Sequence, residues 1–255
     1  MARLTSLANV KRYLTIERAS QDTLIDQLIP RESDLVQRYT GRVFPFVDNV
    51  GVRLNGTGTR SIVLPDAPIL NVSAVSVGAV ALTASPDGAS PGYSFDESAV
   101  YLTGAIFDQG LRNVTASWQA GYAATESGFV PTGNTPTLSP DDVGFAHTDR
   151  GVTYANGTAL TSTSNTPIAG QYSFADGVYT FNASDASAEV TMAFYYVPAA
   201  VEQAVIEMVG LDLKQRDNLG ISSKTLAGES LTYEKSGMPA SVKEQLAVYR
   251  RRVPV

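Results

Sequence analysis

The chain of 255 residues has no cysteine and only one histidine, His147. The missing thiols exclude a disulfide framework, a thiolate metal site and a cysteine nucleophile. A hydroxyl–histidine–acid triad needs its nucleophile on a strained turn. No Gly-x-Ser-x-Gly occurs, so His147, in His147-Thr148-Asp149, reads as a polar loop residue. Asp141, Asp142 and Asp149, or Asp176 and Asp185, could bind calcium, but the acidic spacing of a twelve-residue EF-hand loop is missing. Asn55-Gly56-Thr57-Gly58-Thr59 is not closed by Gly-Lys-Ser/Thr, which makes it a hairpin turn rather than a phosphate loop. No catalytic residue, metal or cofactor is therefore expected. No run approaches the roughly 18 apolar residues of a spanning helix. The first ten residues carry no long apolar core, so a signal peptide is not expected either.

Charge is scarce as well, at 17% of residues against 44% hydrophobic. That balance supports a packed core rather than disorder, in one large domain or two small ones. The net charge of −6 is unevenly spread. Residues 1–46 carry 7 basic and 5 acidic groups, residues 47–122 carry 3 and 6, residues 123–196 carry 1 and 7, and residues 197–255 carry 8 and 7. The acidic excess lies in the middle, and the chain as a whole lacks the basic face of a nucleic-acid binder.

Apolar spacing places helices at both ends. Ser6 is suited to cap a short helix bearing Leu7, Val10 and Leu14. Ser20 is the expected cap of a longer one bearing Leu24, Leu28, Leu35 and Tyr39, which ends near Gly41. Pro30 lies inside that second helix and predicts a kink or break at Ile29–Pro30. From Phe44 the period changes to two. Val52 with Leu54, Ile62 with Leu64, Leu70 to Val77, Val100 with Leu102, and Val114 to Trp118 predict a small antiparallel sheet. After a Gly/Pro/Thr-rich stretch at Thr125–Pro140, alternation resumes at Val152, Tyr154, Tyr172, Phe174, Tyr179, Phe181, Val190, Met192 and Phe194. Residues 126–196 therefore read as a β domain with its own core. The Tyr172–Tyr196 aromatics could instead form a sugar-binding platform. Pro198 opens a third helix with Val201, Ala204, Val205 and Met208 on one stripe. Pro239 precedes a short fourth one, with Val242, Leu246 and Tyr249 on one face. Between them, residues 221–236 are polar and Gly-punctuated, a surface loop on length grounds. Arg250, Arg251 and Arg252 form the one charge cluster: either a solvated tail at a helix C-terminus or an anchor for carboxylates on a partner.

GISSKTLAGESLTY, preceded by the VP-initiated helix and followed by MPASV and the basic tail, resembles the C-terminal end of tailed-phage head–tail connectors, also called head-completion or adaptor proteins. LTSLANVKRYLTI, the helix ending RYTGRVF, and the strand pair ending WQAGY resemble that family's opening. The resemblance covers Met1–Tyr122 and Val197–Val255; residues 126–196 are, by comparison, an insertion. It implies an α+β fold: a helical bundle with a small antiparallel sheet (residues 1–125 and 197–255) plus an inserted all-β domain. It also implies a non-enzymatic virion protein at the neck, made in the host cytoplasm. About twelve copies would form a ring from heterologous contacts beneath the portal protein. That ring closes the packaged head, passes DNA and docks a tail terminator or stopper protein, with no membrane partner. A gene-transfer particle would fit equally. On this reading Val242, Leu246, Tyr249, Arg250, Arg251 and Arg252 meet the portal, while Ile221, Ser222, Ser223, Lys224, Leu226, Leu231 and Tyr233 meet the neighbouring subunit. The alternative function is recognition of a host-surface glycan by the β insert. A wall hydrolase is disfavoured by the missing acid–base constellation.

Overall fold

The computed structural model describes residues 2–140, 142–215, 223–226, 229–232 and 237–251. Helix α1 spans Leu7–Leu14, and the Ser6 hydroxyl accepts from the Asn9 N–H, satisfying one of the free donors of the first turn. Helix α2 spans Asp22–Thr40 and is led in by one 3-10 turn, Ala19–Gln21, instead of a Ser20 cap. It ends where Gly41 adopts φ 66° and returns its N–H to Gln37 O at 2.8 Å. Of the kink or break expected at Ile29–Pro30, the break does not occur: α2 runs on through Pro30. Ile25, Leu28, Ile29 and Val36, on both sides of the proline, are buried in one cluster. Their packing outweighs the roughly 3 kcal/mol that an interior proline costs.

Seven strands follow: β1 (Val47–Gly56), β2 (Ser61–Val63), β3 (Ile69–Val77), β4 (Val80–Leu82), β5 (Gly92–Phe95), β6 (Ala99–Thr103) and β7 (Gly110–Ala120). They form two sheets, ordered β1-β7-β3-β4 and β2-β6-β5. On β7, Val114, Ala116, Trp118 and Ala120 alternate inward against Val72, Val75, Tyr93, Val100, Leu102 and Phe107. The stretch Asn55–Thr59 is not a hairpin turn. β1 pairs with β7 while β2 pairs with β6, so the chain changes sheets there. Gly56 is required at the crossing because a Cβ on it would stand 1.9 Å from Asp108 O.

Strand β8 (Tyr122–Phe129) starts immediately after β7, so the first five residues of the expected linker Thr125–Pro140 belong to a strand. Then come β9 (Thr137–Leu138), β10 (Gly144–Tyr154), β11 (Thr161–Ser162), β12 (Gln171–Ala175), β13 (Val178–Phe181) and β14 (Glu189–Pro198). Sheets β10-β14-β8 and β11-β12-β13-β9 enclose a core that includes Val152, Tyr172, Tyr179, Phe181, Val190, Met192 and Phe194. β14 passes directly into α3 (Ala199–Gln215). A backbone hairpin, β15 (Ser223–Leu226) with β16 (Glu229–Thr232), and a short α4 (Ala240–Leu246) complete the described elements.

The expected fold class is thereby corrected. The molecule is mostly β, with five sheets and only four short α-helices among the described residues, and is not a helical bundle. The helices supply one of three apolar clusters, and even that one takes in Phe145 of β10 and Val197 of β14. The expectation failed because short strands such as β2 and β5 carry too few residues to show a period. What read as one small sheet is two.

Candidate assembly surfaces

The C-terminal end is folded onto its own chain. Val242 and Leu246 of α4 are buried in the helical cluster with Val36, Phe44 and Val205. The Tyr249 ring meets Phe44 edge-on at 5.9 Å. Arg250 places its guanidinium 5.3 Å from the centre of the Tyr39 ring, and the Arg251 N–H donates to Thr40 O at 2.7 Å. The C-terminus of α2 thus anchors this end through ring contacts and one backbone bond. Its outward side carries Val248, 86% exposed, with the exposed Arg250 and Arg251 side chains. Arg252 lies outside the described residues.

Of the residues expected to meet a neighbouring subunit, Ser223, Lys224 and Leu226 are on β15 and Leu231 is on β16, with Lys224 opposite Leu231 and Leu226 opposite Glu229. Ile221, Ser222 and Tyr233 lie outside the described residues. A two-stranded hairpin is marginal by itself in water, so a third strand or a packing face would stabilise this one.

The titratable groups are used for structure. Glu202, in the first turn of α3, accepts from Thr5 Oγ1 at 2.8 Å and Asn9 Nδ2 at 2.7 Å, tying the N-terminal segment to α3. Burial raises its pKa, partly offset by these two bonds. It borders a cavity of about 130 Å³ that also touches Arg12, Gly144 and Asp176. Burial lowers the pKa of His147, whose Nδ1 is 2.8 Å from Thr148 Oγ1. Asp149 and Asp185, considered above as calcium ligands, instead accept from Tyr172 and Tyr154 at 2.6 and 2.7 Å. Asp141 lies outside the described residues, and no group of three metal-ligating side chains occurs among the described residues. The residues that alternation failed to single out, Phe145 and Phe46, join the strands to the rest. Phe46 stacks on Tyr195 at 4.0 Å, and the Arg150 guanidinium lies 4.9 Å from the centre of the Tyr195 ring.

These features define a β-rich protein in which the hydrogen-bonded carboxylates described above brace packing. Residues 3–127 match the family model of the head completion proteins. The resemblance read from LTSLANVKRYLTI and WQAGY falls within that segment, and the match supports a structural role at the head–tail region of a phage-like particle. No curated protein matches the chain. Among solved structures, a chain from the neck of an empty GTA particle computed with C6 symmetry matches at 15% identity and a TM-score of 0.29. The match covers 47% of this chain and 66% of that one, just under two thirds of its length. At that TM-score the likeness carries no argument.

Proposed function

We propose that the protein is a non-enzymatic head–tail connector. It assembles as a ring of about twelve copies beneath the portal, closes the packaged head around the DNA path and offers the tail a docking surface. The observation that carries this reading is the head completion match over residues 3–127. Residues 126–196 are proposed as a domain inserted into that frame, between residues 1–125 and 197–255. The glycan-binding alternative loses its platform, because Tyr172, Tyr179, Phe181 and Phe194 are buried in the core of the insert.

The portal contact is assigned to the C-terminal end. Val242 and Leu246 support it from inside, and Tyr249, Arg250, Arg251 and Arg252 form the contact together with Val248. Arginine forks suit carboxylates on the partner, and aromatic and arginine side chains dominate interface energetics. The β15–β16 hairpin is assigned to the neighbouring subunit. Truncation before α4 would remove Val242 and Leu246 from the core, so the informative variant is Val248→Asp with Arg251→Glu. Both side chains are exposed, and the melting temperature should hold. Binding to portal particles should weaken by roughly tenfold or more. Unchanged binding by a folded variant would move the contact elsewhere, and no binding by the wild-type protein would refute the connector reading.

A further inference from the structure

Residues 47–122 contain only three basic side chains, Arg53, Arg60 and Arg112. All three are exposed at one tip of the first pair of sheets. Arg53 lies on β1 opposite Thr115, Arg112 is near the start of β7, and Arg60 directly precedes β2. The segments around them are bonded, with Asn55 Oδ1 accepting from the Arg112 N–H at 2.9 Å, the Gly58 N–H donating to Phe107 O at 2.7 Å, and the Phe107 N–H donating to Thr59 O at 2.8 Å. None of the three guanidinium groups has a carboxylate partner among the described residues. Asp108 is the one exposed acid on these loops, leaving the tip net positive. Two apolar side chains of the segment leading into β7 are bare, Leu111 at 82% and Ile106 at 47% exposure, with Leu111 next to Arg112 in the chain.

The insert carries the complement at its far end. Phe129 is 65% exposed, opposite Glu189 on the neighbouring strand, and Ile168 is 64% exposed. The segments are held together by Val130 with Ser187 and Ala188, by Asp185 with Gly170, and by Asn182 with Pro167. Glu189 is exposed and has no cationic partner among the described residues, with the Asp185 carboxylate buried behind it. The two tips lie at opposite ends of consecutive strands: Leu111 begins β7 and Phe129 ends β8. These strands belong to different sheets and do not pair.

We infer that the Arg53/Arg60/Arg112 tip of one copy docks onto the Phe129/Ile168/Glu189 tip of a second copy of this chain. Each tip alone is an apolar centre with a charged rim, and the rims are opposite in sign. Two different patches on one molecule that fit each other make a heterologous contact, which repeats from copy to copy and closes into a ring when the rotation allows. This deepens the ring assembly proposed above and rests on it. The charged rim sets the rate and register of docking, so association weakens as salt rises.

The absence of cysteine makes a direct test available. Leu111→Cys and Phe129→Cys are made in separate chains, mixed at concentrations where wild-type self-association is seen by sedimentation, and oxidised. The mixed disulfide dimer should exceed both homodimers, and a chain carrying both cysteines should give a ladder of multimers. Arg53→Glu, Arg60→Glu and Arg112→Glu together should weaken self-association by about tenfold or more, and adding Glu189→Arg should recover part of it. If the wild type associates but the mixed dimer shows no excess and the triple variant associates normally, this docking is wrong and ring assembly stands on other contacts. A wild type that stays monomeric at every concentration, alone and with portal, overturns both.

Discussion

In the first β unit, residues 47–120, buried polar aromatics donate to backbone carbonyls: Tyr93 Oη to Val72 O and Trp118 Nε1 to Asp66 O, both at 3.2 Å. In the second, residues 122–198, they reach carboxylates: Tyr172 and Tyr179 donate to Asp149 at 2.6 and 3.1 Å, with Ala193 O also 3.3 Å from the Tyr179 hydroxyl, and the half-buried Tyr154 donates to Asp185 at 2.7 Å. Both units bury apolar strands between small sheets, and both give their buried aromatic polar atoms acceptors. The backbone solution places no titratable acceptor in these bonds. The carboxylate solution gives bonds as short as 2.6 Å and makes the second core depend on three phenols keeping their protons.

Breaking the link between the regions should have the largest effect. Phe145 belongs to β10 yet packs in the helical cluster, so Phe145→Ala should cost about 3–5 kcal/mol. Calorimetry should show the loss in a transition shared by helices and insert. Two separate transitions in the wild type, with only one moved by the variant, would mean the regions are independent. Next, Asp149→Ala leaves the Tyr172 and Tyr179 hydroxyls without their carboxylate and should cost about 2–4 kcal/mol by denaturant titration. Trp118→Phe, which removes one neutral bond in the first unit along with some ring volume, should cost less.

Alkali sharpens the contrast. Burial, then Asp149, raises the Tyr172 and Tyr179 phenols above their ordinary range, while burial and Asp185 push Tyr154 up to about 12. A raised folded-state pKa means stability is intact below the unfolded value, about 10, and falls as pH rises from there toward the folded values, because the unfolded chain releases its protons first. Ultraviolet titration should show these tyrosines ionising only as the second unit unfolds. Ordinary titration of Tyr172 and Tyr179 near pH 10 in the folded protein would count against the buried pairs. The smallest effect belongs to Ser6→Ala, about 1 kcal/mol from the lost α1 cap, read in the thermal midpoint.

The parts visible in the sequence were those with long, regular periods or side-chain caps. Ser6, Gly41 and the stripe Val201, Ala204, Val205 and Met208 announce themselves because local chemistry fixes them. The exchange of partners at Asn55–Thr59 did not, since Asn-Gly suits a hairpin locally and only the distant Asp108 carbonyl demands a glycine there. The break allowed for at Pro30 did not form for a similar reason: packing around α2 overrides a local penalty. On the candidate site, helical spacing identified Val242 and Leu246 as one apolar face. It could not tell whether that face meets a partner or the chain's own core. The Arg53/Arg60/Arg112 tip was invisible because Arg112 is 59 and 52 residues from Arg53 and Arg60 in the chain and is brought to them only by strand pairing and loop bonds.

The direct passage from β14 into α3 joins Glu189 to Gln215 without an intervening loop. Ten strand residues and seventeen helical ones make a contour of roughly 60 Å. No slack segment absorbs displacement along it. A pull on the end of the insert loads the strand in tension. That load enters the helix at Ala199, beside the Glu202 bonds to Thr5 and Asn9. The second β unit is therefore attached to α3 as a handle is to a shaft, and force on its far end would be felt along α3.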